Sequence, residues 1–492
     1  MGDGQAIEIS RRIVEVAQRR MQTELVIAIH GPRSVGKSTV LRRLAHDFGT
    51  EVIDLDNSET RNAFAADPAL FITETVPLFL DEYQRVPASL DAIKAVLNQS
   101  AVPGRFVITG STRHESLPPV TQALTGRLHI LDLFPLSQGE IAGVHENFLE
   151  VALNHPVLVA RNNTKGISRG DYIGRVCAGG FPLALQRDGA SRERWFDDYV
   201  RLSIERDVEL IAPRIRQATQ LAPLLERLAS QTGQVLNIAA SADQIRMNKS
   251  TAENYVGLLE DVYLVRRLPA WGKTLRSRVS QLPKIHIVDS GLAARLLRLT
   301  PSRLATLNPS VMSEFGHLLE TFVVGELTKQ STWLDEHVEL SHWRTRDGEE
   351  VDLVVERDNG QILAFEVKAA AQINDSDLKS MRLLRSITGS SFGAGFLFYT
   401  GERSYTIEDR IHVVPISRLW SPLKPIVNDS GEHREMTDPE FAQHLIDQAE
   451  WRVRRVTEEK ERAAKDAARQ SAREKLVALG LTEDEISALS NQ

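Results

Sequence analysis

Apolar and polar positions change their period several times along the chain, and the changes mark its elements. Residues 25–29 are a continuous apolar run of strand length, as expected for a strand buried on both faces. Ahead of it, Ile7, Ile9, Ile13, Val14, Val16 and Ala17 recur at roughly helical spacing and predict an amphipathic helix over 6–20. Behind it, 40–45 reads as helix. Three more strands are predicted at 51–56, 76–82 and 105–109. Trp195, Tyr199, Leu202, Ile204 and Val208 then predict a helix. Two short helices with a tight turn follow over 235–259, and a strand over 263–268. In 314–327, Phe315, Leu318, Leu319, Phe322, Val323 and Leu327 share one helical face. Period-2 text at 337–343, 349–356, 361–368 and 395–399 predicts strands, with a turn at Asp358-Asn359-Gly360 and a charged helix over 375–387.

Length and composition narrow the picture. A chain of 492 residues is too long for one ordinary core and predicts several α/β domains. The single cysteine, Cys177, excludes an intrachain disulfide and a cysteine-rich zinc cluster. No apolar run approaches the roughly 20 residues that span a bilayer, and the first residues lack the basic-then-apolar layout of a signal peptide. A cytoplasmic chain without membrane contact is expected. The net charge of -7 argues against wholesale coating by nucleic acid. One stretch runs against that balance: 262–288 carries Arg266, Arg267, Lys273, Arg276, Arg278 and Lys284 and no acidic residue. Just before it, Lys249, Ser250, Thr251 and Asn254 open a helix, as in a helix-turn-helix. A basic wing that contacts DNA phosphates is one reading; a module that packs against protein is the other. Past Leu419, Ser421-Pro422 and 428–431 read as linker. Residues 441–479 are helical and dense in charge, and 482–485 form a capping box that starts a last helix.

Candidate chemistry begins at Gly31, Pro32, Arg33, Ser34, Val35, Gly36, Lys37, Ser38 and Thr39. Strand, glycine-bearing loop and helix form the context of a phosphate-binding loop, whose backbone N–H groups face the anion. Lys37 would reach the β- and γ-phosphates of ATP, and the Ser38 hydroxyl would ligate Mg²⁺. The strand ending in Asp81-Glu82 fits a Walker B pattern: Asp81 holds the metal through water and Glu82 polarises the attacking water. Thr109, at the tip of the next strand, is the candidate sensor between Glu82 and the γ-phosphate, with Ser111 second. Arg127 follows a helix and precedes a strand, where a ring-forming ATPase offers an arginine to its neighbour's nucleotide. A surface arginine at a helix end is the alternative.

In the second half, Glu366 and Lys368 point to one face of their strand, and Asp352 lies in the partner strand of the hairpin. Two carboxylates and a lysine so placed can bind Mg²⁺ or Mn²⁺ and orient a hydrolytic water, with Glu320 as a further ligand.

The segments 31–39, 53–71, 78–87, 106–112, 124–140 and 179–185 resemble a prokaryotic family of AAA-type ATPases. Members of that family carry a C-terminal half with a winged helix and a nuclease-like fold. The similarity runs in order from Ile27 to about Trp420. It departs in Tyr83, where an aliphatic residue is commoner, and in an insert-like stretch over 147–168. Gly179-Gly180-Phe181-Pro182 resembles the Gly-x-Pro element of signal-transducing P-loop ATPases, which implies that Pro182 packs on the adenine. Asp352 with Glu366-Val367-Lys368, behind the Glu320 helix, resembles the PD-(D/E)XK nuclease superfamily, although no proline precedes Asp352. The expected architecture is α/β: a P-loop AAA-type core (1–135), a helical lid (136–230), a winged helix (231–285), a mixed α/β nuclease-like domain (286–420) and a charged helical tail (421–492). The expected function is Mg²⁺-dependent ATP hydrolysis by a homo-oligomer that acts on DNA, with a metal-dependent nuclease site. The alternative is a regulatory switch whose second half only binds partners.

Overall fold

A computed structural model of the chain describes residues 9–447, apart from 75, 114–123, 162–165, 209–210, 213–217, 273, 275–280, 307 and scattered positions beyond 422. The chain forms two compact units, Met1–Leu423 and Lys424–Gln492. In the second, Ile426–Asp429 and Glu432–Glu435 pair as an antiparallel hairpin. Nearly all of the predicted tail helix lies outside the described residues.

The first unit opens with a five-stranded, all-parallel sheet. Its strands are β1 (Val26–His30), β2 (Val52–Asp54), β3 (Leu78–Asp81), β4 (Phe106–Gly110) and β5 (Leu128–Asp132), in the order β2-β3-β4-β1-β5. The uninterrupted apolar runs follow from burial on both faces. Ile27, Ile29, Phe79 and Val107 enter one core, while Val26, Ala28, Leu78, Leu80, Phe106 and Ile108 enter the other. The predicted N-terminal helix spans only Arg12–Arg20. Arg11 is extended because its buried side chain is pulled into the domain, onto Glu140 and the carbonyls of Val35 and Phe134.

The 231–285 stretch holds helices Ile238–Gln244 and Lys249–Asp261, each capped by an asparagine (Asn237, Asn248). They pack beside a small antiparallel sheet of β6 (Gln234–Val235), β7 (Val265–Leu268) and β8 (Lys284–Ile287), in the order β6-β8-β7. A six-stranded mixed sheet follows: β9 (Val338–Arg344), β10 (Glu350–Arg357), β11 (Ile362–Lys368), β12 (Phe392–Tyr399), β13 (Tyr405–Glu408) and β14 (Ile411–Pro415), ordered β13-β14-β12-β11-β10-β9. The helix expected over 314–327 is longer, Pro309–Ser331, with Asn308 as cap and Pro309 at its first position.

One hydrophobic core is continuous through the whole first unit. It joins the P-loop face of the first sheet to Phe315, Leu319 and Leu327 of the long helix and to Phe365, Phe396 and Phe398 of the second sheet. The insert-like stretch explains part of this continuity. Its helix Phe148–Asn154 places Phe148 against Phe365, Phe396 and Phe398, with ring centroids 5.3–6.5 Å apart.

Candidate functional site

The loop after β1 turns back on itself at once. A side chain at Gly31 would strike the Leu133 carbonyl at 2.1 Å, and Gly36, with φ +99, starts the helix Lys37–Asp47 from the left-handed region. Ser34 and Glu82 also take positive φ without being glycine, which costs energy and concentrates at functional sites. Lys37 is buried, and its ammonium donates to the carbonyls of Gly31 and Pro32 at 2.9 and 2.8 Å. Burial pushes its pKa down and Arg33 adds to that, while Glu82 and Asp81 oppose it.

Strand order places the acids. β4 lies between β1, which runs into the loop, and β3, which carries Asp81. Thr109, the penultimate residue of β4, is fully buried there. Its hydroxyl donates to Asp81 Oδ1 and accepts from the Glu82 backbone N–H at 3.1 Å. Ser111 donates to Glu82 Oε2 at 3.1 Å; Gln84 donates to the same oxygen and, at 3.0 Å, to the Ser111 hydroxyl. Thr109 and Ser111 thus both belong to the site, one on each acid. Gln84 was not anticipated, although it stands two residues past Glu82.

The loop and Glu82 face a cavity of about 1420 Å³, with Asp81, Gln84, Thr109 and Ser111 packed behind Glu82. Its walls include Arg33, Lys37, Ser38, Thr39 and Glu82, with Ile9, Ile141, Pro182 and Tyr199. Arg33 does not point free into it: its Nε donates to buried Asp207 at 2.6 Å, and burial raises the Asp207 pKa while Arg33 opposes that. Asp207 lies in the segment Ser203–Val208, a π-helical turn rather than the regular helix expected there. Arg127 is elsewhere. It precedes β5, at the sheet edge opposite the loop, and donates to Asn98 Oδ1 at 2.8 Å.

The residues fit ATP with Mg²⁺. The Lys37 partners are neutral carbonyls that an anionic phosphate can replace, Ser38 lines the cavity, and Asp81 stands beside Thr109 at the next strand end but one.

The second predicted set is also brought together, with one addition. Asp352 sits where β10 shifts register against β9, between Val351 and Val354, a bulge that re-aims its side chain. Asp352 Oδ2 accepts from the Val367 backbone N–H at 2.9 Å, and Lys368 donates to Glu366 at 2.8 Å. Glu320 reaches the group from the long helix. At its centre lies the ammonium of Lys284, a wholly buried residue of β8. Lys284 meets Glu320 at 2.7 Å, Asp352 at 3.0 Å and Glu350. Burial lowers the Lys284 pKa, but the three carboxylates outweigh it and hold the group well above its ordinary value. Burial pushes Glu366 up to about 8, with Asp352 adding to the shift. Glu320, Asp352 and Glu366 therefore do not fit a divalent metal: a cation is already seated on two of them. Among the described residues, no group of three or more His, Cys, Asp or Glu is placed to hold a metal ion.

Lys284 also corrects the basic-surface expectation, as do its neighbours. Arg266 donates to Thr328 at 2.5 Å and stacks over Phe134, and Arg267 donates to Glu260 at 2.7 Å. Three of the six basic residues in 262–288 are thus tied to internal partners, while Lys273, Arg276 and Arg278 lie outside the described residues. Lys249, Ser250 and Asn254 are exposed on their helix. No described helix is long and apolar enough to cross a membrane.

Comparison with known proteins divides the chain in three. Residues 23–142 match the family model of an AAA domain, and 169–303 and 315–419 match two domains of unknown function, DUF8612 and DUF4143. The uncharacterized protein Rv2008c of Mycobacterium tuberculosis is 27% identical over 414 residues, covering 84% of this chain and 85% of its own length. The uncharacterized protein Mb2031c of Mycobacterium bovis matches equally. Among solved structures, AMPPCP-bound DnaA from Aquifex aeolicus covers 53% of this chain and 89% of its own at 15% identity and a TM-score of 0.23. A signal transduction ATPase with numerous domains from Pyrococcus horikoshii covers 66% of this chain and 47% of its own at 9% identity and a TM-score of 0.20. Both superpositions are too loose to carry an argument. The matched AAA domain and the parallel sheet with its loop agree, and residues 23–142 are a P-loop ATPase core of the AAA type.

Proposed function

We propose that the chain is an ATP-hydrolysing regulatory switch, in which the nucleotide state of the P-loop core is passed to the C-terminal half as a change in packing. The observation that carries this reading is the anchoring of the lid loop. Pro182 lines the cavity, and two residues earlier the Gly180 N–H donates to buried Asp289 at 2.7 Å. Gly180 also accepts from Leu136 N–H at 2.8 Å, and the Leu136 carbonyl accepts from Lys329 of the long helix at 3.1 Å. A shift of Pro182 on the base is therefore felt at both helices that carry Asp289 and Lys329.

Within the site, Lys37 leaves its two carbonyls for the phosphates, and Ser38 and Asp81 hold Mg²⁺, which neutralises phosphate charge. Glu82, oriented by Ser111 and Gln84, takes the proton of the attacking water. Thr109 reports to both acids. Pro182 packs on the adenine. Arg127, outside its own cavity, serves only a neighbouring subunit, so this role requires a homo-oligomer in ATP.

The second reading is an ATPase that acts on DNA. The exposed Lys249, Ser250 and Asn254 at a helix start favour it. Turnover of the purified chain, with and without duplex and single-stranded DNA, separates the two. The switch predicts slow turnover that DNA leaves unchanged. Multiple-turnover hydrolysis stimulated tenfold or more by DNA would establish the second reading instead.

A further inference from the structure

We infer that Lys284 is the resident cation of the acidic cluster, so that the nuclease-like half is closed to divalent metal and serves as a latch rather than a hydrolase. An ammonium has three N–H donors and no acceptor. Lys284 spends them on three carboxylates: Glu320 Oε1 at 2.7 Å, Asp352 Oδ1 at 3.0 Å, and Glu350. A divalent ion would need those same oxygens at about 2.0–2.6 Å, and it could take them only by separating the buried ammonium from all three carboxylates. The remaining Asp352 oxygen is bound to the Val367 N–H, and Glu366 Oε1 is held by Lys368. Access agrees with this arrangement. Lys284 is 0% exposed and Glu320, Asp352 and Glu366 are 6, 8 and 9% exposed, so the cluster is largely withdrawn from solvent.

The lysine comes from a different part of the chain than its partners. It opens β8 of the small three-stranded sheet, whereas Glu320 belongs to the long helix and Glu350 and Asp352 to β10. The cluster therefore ties three elements together across the boundary expected between a DNA-binding module and a nuclease. In a nuclease the metal would make that tie only when loaded; here a side chain makes it permanently.

The test uses the full chain, free of nucleotide, and reads bound Mn²⁺ by electron paramagnetic resonance in wild type, Asp352→Asn, Lys284→Met and the double variant. The cluster's site is defined as Mn²⁺ binding that Asp352→Asn removes, which separates it from any ion at Ser38 and Asp81. The expected result is no such site in wild type and one per chain in Lys284→Met, at least tenfold tighter than any wild-type binding and lost in the double variant. A wild-type site removed by Asp352→Asn overturns the inference. So does a folded Lys284→Met chain that still binds no Mn²⁺, because the lysine would then not be what excludes the metal. Should Lys284→Met fail to fold, the wild-type and Asp352→Asn pair decides alone. Nucleotide plays no part in the readout, so the outcome is independent of the switch reading.

Discussion

Lys37 and Lys284 are both withdrawn from water and both stand near acidic side chains, yet their partners differ in kind. Lys37 rests on two backbone carbonyls at the wall of a large cavity. Lys284 rests on three carboxylates with no exposure at all. Neutral partners at a wall hold a charge loosely and release it to an incoming anion. Anionic partners in the interior hold it against everything, because separating them leaves buried charges uncompensated. Two sequence motifs of equal completeness thus hold their lysines on opposite terms. What decides is whether the groups around the motif can be displaced.

The comparison can be broken most directly at Lys284. Replacement by Ala leaves three carboxylates together in the interior and should cost about 3–5 kcal/mol in urea unfolding. A loss under 1 kcal/mol would mean that the ammonium is not holding the cluster. Lys37→Ala should invert the pattern: ATP turnover falls by about 10²–10³-fold, while the unfolding midpoint hardly moves, since a desolvated cation is removed from carbonyl partners only. Normal turnover in both Lys37→Ala and Glu82→Gln would end the assignment of the site.

A third buried charge sharpens the contrast because it has no ammonium. Glu146 is 1% exposed, accepts from the Ser137 hydroxyl, and has one oxygen without a hydrogen-bond partner among the described residues. Burial pushes its pKa up to about 7, with Glu326 and Glu140 adding and Ser137 opposing. A raised acid stabilises the fold below its unfolded pKa, near 4.5, and that contribution is lost as pH rises through about 7. Wild type should therefore lose roughly 3 kcal/mol of stability between pH 4.5 and 8 that Glu146→Gln retains. Parallel stability–pH curves for the two proteins would refute the shift. The smallest effect is expected at Thr109→Val, which removes one hydroxyl from between the two acids. Turnover should fall about tenfold, as for one misplaced catalytic hydrogen bond, with nucleotide affinity kept. A loss of affinity equal to the loss of turnover would instead place Thr109 in binding.

The first site was legible because its information is local. Strand, loop and helix are contiguous, and the five-strand order makes Thr109 the neighbour of Asp81 without any distant contact. The period-2 reading likewise put Glu366 and Lys368 on one face, with Asp352 in the partner strand of the hairpin. Lys284 was not legible. It begins a Lys-Ile-His-Ile alternation that reads as a half-exposed strand, and its hydrogen-bonded partners Glu320 and Asp352 are 36 and 68 residues away. Asp207, Asp289, Glu326 and Lys329 were hidden for the same reason: a charged residue on an amphipathic helix or at a cap looks solvated until its packing partner is known. The β13 and β14 strands were missed because His412 and Pro415 interrupt the only apolar run there. His412 is nonetheless buried and takes the Thr406 hydroxyl as partner.

The continuous core has a consequence for cutting the chain. Glu326 accepts the Gln138 N–H at 2.8 Å, Gln330 accepts the Leu149 N–H at 2.9 Å, and Phe148 has its ring among Phe365, Phe396 and Phe398. A fragment that stops at Ala142 would carry an orphaned Gln138 amide, and one extended to Asn154 would add the Leu149 amide and a bare aromatic where those partners had been. The three segments matched by separate families are thus units of recognition along the chain but not units that can be excised: the ATPase portion borrows part of its interior from residues almost two hundred positions downstream.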